Sequence, residues 1–300
     1  MIEAFGADLE FSRSLAPLTS YETGGPARYF LSARSIDEVT RAVKAARRLE
    51  IPAVVIGGGS NLLVSDEGFD GLVIKMDIMG LRRLDNGLVE AGGGEQLIDL
   101  VNFASESSLT GIEFAAGIWG SVGGAIYGNA GAFGGEIGQL MVTGVIIDAS
   151  GRVREVTRDY FQFNYRHSYL KETHEIVASA VFQLAPGDRA VIEAEVNRIL
   201  TLRADRHPDR RTAGCFFRNI PDATQQYGKL PAGKLLEEVG AKQLSVGGAR
   251  VYEKHANIII NAGGATSKDI RQLADILKQR VLDRFGIELQ EEVQQIGSFS

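Results

Sequence analysis

Residues 116–138 read AGIWGSVGGAIYGNAGAFGGEIG. Glycine stands at 117, 120, 123, 124, 128, 131, 134, 135 and 138. That density speaks against one regular helix, because each interior Gly costs about 1 kcal/mol relative to Ala. The residues between are small or apolar, unlike those of a flexible Gly/Ser linker. The pattern predicts a packed, tightly turning segment whose amides approach something closely, since Gly lacks Cβ and tolerates positive φ. Successive turn amides can form an anion-binding concavity. A large phosphate-bearing ligand is one reading of the stretch; a glycine-rich structural corner is the other.

A second glycine turn lies towards the N-terminus. Ala53–Ile56 reads as a short apolar strand, and Gly57, Gly58, Gly59, Ser60 and Asn61 make a sharp polar turn after it. The spacing is not G-x-G-x-x-G, and no Gly-Lys-Ser/Thr ends the run, so neither a Rossmann fingerprint nor a Walker loop is present. A plain hairpin turn and a ligand-facing loop both remain open. Residues 36–49 predict a helix, with a capping box from Ser35 and Glu38 and with Ile36, Val39, Val43, Ala46 and Leu49 on one face. Leu97, Leu100, Val101 and Ala104 predict another between 95 and 107. Strands are expected at Leu72–Lys75, Leu88–Ala91, Val142–Asp148 and Ile176–Leu184. Ala190–Leu202 is a helix candidate with Val191, Ala194 and Ile199 among its apolar positions. Arg203, Arg206, Arg210, Arg211 and Arg218 then crowd one stretch, and a domain boundary is placed near residue 200. Ser267 is expected to cap a helix running to about Phe285, with Ile270, Leu273, Ile276, Leu277 and Val281 inward and Gly286 at its end. Strands and helices interleave without βαβ periodicity, which predicts an α+β fold.

A chain of 300 residues is long enough for two or three domains. Hydrophobic content of 44% and charged content of 23% are those of a soluble globular protein. A net charge of −6 argues against a general nucleic-acid binder. The start, MIEAFGADLEF, has no basic region and predicts no secretory signal. No apolar run approaches the roughly 20 residues of a membrane span. A single Cys excludes an internal disulfide and suits a reducing cytoplasm. The four scattered histidines and the lone Cys lack metal-ligand spacing, so no metal is expected.

Several segments, taken together and in order, resemble one family. T-G-G-P-A at 23–27, G-G-G-S-N at 57–61, and G-S-V-G-G-A with N-A-G-A-F-G-G at 120–135 resemble its flavin-binding half. F-x-Y-R-x-S at 163–168, A-G-C-F-F-R-N at 213–219, E-K-H-A-N at 253–257 and E-V-x-x-I-G at 292–297 resemble the rest. The family is UDP-N-acetylenolpyruvoylglucosamine reductase, of peptidoglycan precursor synthesis, and the similarity runs from about residue 15 to 298. The short span between Ser168 and Ile176 leaves little room for an inserted substrate-covering loop, as in the family's shorter, type II branch.

The resemblance implies a vanillyl-alcohol-oxidase/PCMH-type FAD-binding fold of two subdomains plus a C-terminal α+β substrate-binding domain. The expected division is 1–75 and 76–200 for the FAD-binding subdomains, the first possibly joined by the C-terminal tail, and 201–300 for substrate. It implies non-covalent FAD, NADPH as hydride donor, a UDP-sugar substrate, and a monomer in the cytoplasm. Cofactor contacts are expected from Gly57, Gly58, Gly59, Ser60, Asn61, Gly117, Ser121, Gly123, Gly124, Asn129 and Ala130. Hydride from flavin N5 to the vinyl C3 leaves negative charge on C2 and the carboxylate, which calls for preset positive charge and a proton donor. Arg166 and Glu292 match the family's enolate-stabilising residues. Cys215 stands where most of the family has the proton-donating serine, and a thiol with a pKa near ~8.5 is also a single-proton donor. Tyr165, Arg206, Arg218, Asn219 and His255 match substrate-contacting positions.

Two departures stand out. Trp119 replaces the usual Pro, and Gln290-Glu291-Glu292 replaces an L-E-P-E pattern, which predicts a less rigid loop before Glu292. Read without the family, Arg166 is a surface ion-pair residue, Glu292 a solvated acid, Cys215 a buried hydrophobe, and the arginine run a solvated face balanced by Asp205 and Asp209. Two other functions fit parts of the pattern. One is a flavin oxidase or dehydrogenase of the same fold acting on another hydroxy compound, with His167 or Cys215 as a covalent flavin anchor. The other is a non-catalytic sugar-nucleotide sensor.

Overall fold

The computed structural model describes residues 5–209, 211–225 and 228–299. Arg210, one of the clustered arginines, lies outside them. The chain forms two compact units. The first is built from residues 1–12, 28–58 and 71–203, the second from 13–27, 59–70 and 204–300.

The first unit holds two cores. Helix α1, Ile36–Arg48, buries Val39, Ala42, Val43 and Ala46. These pack with Leu31, Leu72, Ile74 and Met76 of a sheet whose strand Ala53–Ile56 runs parallel to Phe69–Met76. Ser35 Oγ accepts the Glu38 N–H at 3.2 Å, but the Glu38 carboxylate reaches past Ser35 to the Arg34 N–H at 2.7 Å. The expected capping box is therefore half formed. The other core lies on a five-stranded antiparallel sheet ordered Val153–Thr157, Met141–Ile147, Ile176–Gln183, Leu88–Gly92, Leu81–Arg83. Helices α2 (Leu97–Glu106), α3 (Val122–Gly128) and α4 (Arg189–Arg206) add side chains to it, with Ile112, Phe114, Ile137 and Phe161 from the segments between these elements. In α4 the inward residues are Ile192, Val196 and Ile199, while Val191 is 67% exposed. The helix phase thus differs from the one expected from Val191 and Ala194, because the 192–196–199 spacing gives one continuous stripe.

The second unit has one core. Strands Ser245–Val246, Ala249–Tyr252 and His255–Asn261 form an antiparallel meander covered by α5 (Ala232–Glu238) and α6 (Ser267–Phe285). Thr266, not Ser267, is the N-cap of α6, and it makes a full capping box with Asp269. Ser267 occupies the first turn, where its Oγ donates to Thr23 Oγ1 at 2.8 Å. The Asp66 carboxylate takes the Ser267 and Lys268 N–H groups at 2.8 and 2.9 Å, so a distant acid completes the capping of this helix. Ile276, expected inward, is 40% exposed, and Gly286 ends the helix at φ +67°. Near the C-terminus, strand Gln294–Ile296 pairs in parallel with Leu62–Val64.

Candidate active site

In the first unit the two glycine turns lie against each other, backbone on backbone. A Cβ on Gly58 would come within 2.7 Å of Gly120 Cα, and one on Gly57 within 2.1 Å of Ser121 Oγ. Ser121 is buried and caps α3, its Oγ accepting the Gly124 N–H at 3.3 Å. A short helix therefore does form inside the 116–138 stretch. Gly123 is required because α3 packs directly on the chain at Gly93: the Gly123 N–H donates to Gly93 C=O at 2.8 Å, and a Cβ there would sit 2.9 Å from that oxygen. The Gly123 and Gly124 amides thus have internal partners, and what these residues offer a ligand is close approach. Asn129 closes α3 in the left-handed region and is buried, with Nδ2 on Asn164 C=O at 2.9 Å and Oδ1 taking the Gly138 N–H at 3.0 Å. The Ala130 N–H returns to Ala125 C=O. Gly117, at φ +72°, leaves room for the Arg203 stem, whose Cδ lies 2.7 Å from where a Cβ would stand.

This double turn, uncharged and closed to any side chain beyond hydrogen, fits the diphosphate of the FAD that the resemblance implies, since such a group is held by amides at close range. Gly59 and Asn61 are fixed within the second unit. Gly59 has φ +66° with the Leu18 carbonyl where a Cβ would be. The Asn61 amide nitrogen donates to Glu292 C=O at 3.0 Å. That bond makes Asn61 a support for the Glu292 backbone as well as a candidate cofactor contact.

Arg166 sits at the tip of a tight turn. Asn164 and His167 exchange both backbone hydrogen bonds at 3.0 Å, leaving Tyr165 and Arg166 between them. Arg166 has φ +52°, a conformation that costs a non-glycine residue roughly 1–3 kcal/mol. The surroundings over-determine it. Lys171 Nζ donates to Arg166 C=O at 2.8 Å, the Asn164 side chain takes the Tyr165 N–H at 2.7 Å, and buried Ser168 anchors the return through Tyr127 C=O at 2.8 Å. The guanidinium lies 5.6 Å from the Tyr165 ring centroid and donates through Nη1 to Gly131 C=O at 2.9 Å. Gly131 opens the hairpin that carries Phe133, 53% exposed at φ +51°, with the Arg203 guanidinium 5.5 Å over its ring. An aromatic residue inside a glycine run is the sequence signal for this pair. Trp119 is 45% exposed.

In the second unit Cys215 follows Gly214, at φ +78°, and is half-buried. Its segment lies between two others. Cys215 pairs with Ile258, the Phe216 N–H donates to Asn257 C=O, and the buried Asn257 side chain clasps Phe217 through both its N–H and its C=O at 2.9 and 2.8 Å. On the other side the Glu292 N–H donates to Phe216 C=O and the Arg218 N–H to Gln290 C=O, each at 2.8 Å. Cys215 and Glu292 therefore stand on neighbouring, hydrogen-bonded segments of one unit, whereas Arg166 belongs to the other. Tyr21 is fully buried near Cys215; burial pushes its phenol well above the ordinary value, and the Cys215 sulfur acts in the same direction.

The substrate candidates separate into two kinds. His255 is held below its ordinary pKa by burial, then by the Lys242 and Arg206 cations, and is 5.8 Å from His207 between ring centroids. Arg206, the last residue of α4, is exposed. Arg218 has a buried Nε with no hydrogen-bond partner among the described residues. Asn219 instead uses Oδ1 to accept the Ala232 N–H at 3.1 Å, tying down the start of α5. Arg211 pairs with Glu22 at 2.9 Å.

Comparison with known proteins matches two families in order along the chain. Residues 27–157 match an FAD-binding domain family, and residues 206–296 match the C-terminal domain of UDP-N-acetylenolpyruvoylglucosamine reductase. The reductase of Heliobacterium modesticaldum is 41% identical over 281 residues, covering 93% of this chain and 88% of that protein. That of Lactobacillus delbrueckii is 37% identical over 297 residues, covering 99% and 98%. The crystal structure of the Thermus caldophilus reductase aligns with a TM-score of 0.80 at 30% identity, over 96% of this chain and 98% of that one. With relatives alike along nearly their whole length, and with an FAD-binding domain followed by this enzyme's C-terminal domain, the chain belongs to the UDP-N-acetylenolpyruvoylglucosamine reductase family.

Proposed function

We propose that this protein reduces the enolpyruvyl ether of UDP-N-acetylglucosamine to UDP-N-acetylmuramate, using FAD and NADPH, in peptidoglycan precursor synthesis. Bound FAD supplies a two-electron relay between NADPH and the vinyl group. Gly57, Gly58, Gly59, Ser60, Asn61, Gly117 and Ser121 hold it, with Gly123, Gly124, Asn129 and Ala130 shaping the floor beneath. Residues 1–75 and 76–200 act as its two subdomains and 201–300 as the substrate domain; the two cores of the first unit support the inner boundary, though Ile147 and Ala178 join the α1 core and residues 13–27 and 59–70 cluster with the C-terminal part. The protein works as a monomer in the cytoplasm.

The chain's own residues manage charge and proton. Once C3 has gained hydride, negative charge spreads over C2 and the carboxylate. Arg166, permanently cationic, holds that carboxylate, and Glu292 in its acid form shares the load by donating a hydrogen bond. Cys215 Sγ–H then delivers its proton to C2. Tyr165 backs the Arg166 guanidinium, and Arg206, Arg218, Asn219 and His255 receive the sugar nucleotide. The observation that carries this reading is the backbone bond from Glu292 to Phe216, which seats the acid one residue from the thiol's segment.

An anaerobic experiment tests it. Enzyme reduced by NADPH is mixed with the enolpyruvyl substrate and the flavin absorbance is followed. Rapid return of the oxidised spectrum is expected. A flavin that NADPH reduces but substrate leaves reduced would sink the assignment.

A further inference from the structure

The segment Gln290-Glu291-Glu292 departs from its family's pattern and raises a physical problem. Among the described residues it is held to residues 216–218 by two backbone bonds, Arg218 N–H to Gln290 C=O and Glu292 N–H to Phe216 C=O. In extended chain, successive side chains leave on opposite faces, so a slip of one residue would exchange Glu291 for Glu292. Two acids in a row make that exchange chemically plausible.

The structure shows what prevents it. The Glu291 carboxylate lies against α6, where Arg271 Nη1 donates to both its oxygens at 3.0 and 2.9 Å and Lys278 Nζ to one at 3.3 Å. Gln295 Nε2 adds a bond of 2.6 Å. Arg271 is itself fixed by Asp275, through bonds of 3.1 and 2.6 Å. The Glu291 and Arg271 side chains are 16% and 24% exposed, so this is not a solvated surface pair. Arg271 and Lys278 are seven residues apart, two turns of one helix face, and hold the acid from two points.

We infer that Glu291 is a positioning residue that aims Glu292: anchored on α6, it fixes the register of residues 290–292 and turns Glu292 to the opposite face. Asn61 and Gln294 complete the hold by donating to Glu292 C=O. The inference rests on the proposed role of Glu292. A geometric corollary concerns the departure noted in the sequence. Neither bridge bond uses the N–H of residue 291, so a proline fits there without breaking the pairing. A stiff residue and an anchored one are then two ways of holding the same strand.

The test uses the flavin-loaded enzyme and separates its two half-reactions. Glu291→Ala is expected to leave reduction by NADPH unchanged and to slow flavin reoxidation by the enolpyruvyl substrate roughly 10- to 100-fold, as small misplacements of a reacting group do, in kcat rather than KM. Glu291→Pro should recover most of that loss. In a Glu292→Gln background, Glu291→Ala should cost less than about twofold more, because its effect passes through Glu292. Slower flavin reduction, an unchanged reoxidation rate, or a full additional loss in the Glu292→Gln background would overturn the inference. If Glu292→Gln alone reoxidises normally, the role of Glu292 fails first and the inference falls with it.

Discussion

The turn that carries Arg166 and the segment that carries Cys215 and Glu292 are both only a few residues long, yet they hold their functional groups in different ways. Arg166 stands at a hairpin tip at positive φ, kept there by Lys171, Asn164 and Ser168. Cys215 and Glu292 stand on extended backbone, kept in register by Asn257 on one side and by Glu291 on the other. The difference suits the role proposed for each group. A carboxylate clamp needs its guanidinium carried on a rigid, pre-paid conformation. A proton donor and its neighbouring acid need a fixed relative phase, which paired strands provide through their two-residue period.

Breaking the extended pair should give the largest effect. Cys215→Ala is expected to leave NADPH-driven flavin reduction intact and to lower reoxidation by the enolpyruvyl substrate about 10²–10⁴-fold, the usual worth of a positioned proton donor. Cys215→Ser should keep substantial activity, since Oγ lies near where Sγ did. The thiol enzyme should lose rate at alkaline pH as the donor ionises, and that limb should move or vanish with serine; normal turnover by Cys215→Ala would reduce the thiol to packing.

Breaking the strained turn comes next. Arg166→Ala should slow reoxidation by about 10²–10³-fold, as removal of one preorganised donor does, with little change in flavin reduction. Equal losses in both half-reactions would show a folding or cofactor defect instead. Ser168→Ala sharpens the same point from behind the turn. Losing its bond to Tyr127 C=O should cost about 1 kcal/mol in denaturant unfolding and lower reoxidation by a smaller factor than Arg166→Ala.

The smallest effect concerns His255. Its pKa in the fold lies below the ordinary 6.5, chiefly through burial, so the fold favours the neutral ring. The stability this contributes is present above pH 6.5 and is lost as pH falls through the lower, folded value. His255→Gln should therefore flatten the acid limb of the stability curve while leaving the neutral-pH value nearly unchanged. An identical acid limb in both proteins would assign that loss to other groups.

Much was legible from local pattern. The strand Ala53–Ile56 and its glycine turn, the helices from Ile36 and Leu97, and the stop at Gly286 follow from periodicity and from glycine's access to positive φ. The structure departs from local pattern where a neighbour distant in sequence decides the matter. The cap of α6 shifted from Ser267 to Thr266, with Asp66, some two hundred residues upstream, taking the next two amides. The inward face of α4 was set by the sheet it covers, which selected Ile192 over Val191. Within helix α3, Gly123 is demanded by the backbone of Gly93, which comes too close for any side chain there.

By itself the sequence determined the α+β class, the two glycine turns and the residue types the reaction requires, since these depend on local backbone preference and on functional groups in order along the chain. Only the tertiary structure decided which of those groups are free to act. It tied Asn129 and Asn219 to backbone partners, gave Asn61 to the Glu292 carbonyl, and set Glu291 on α6. The reason is physical: a polar side chain's role is fixed by which donor or acceptor lies within about 3 Å of it, and in this fold those partners come from segments tens to hundreds of residues away.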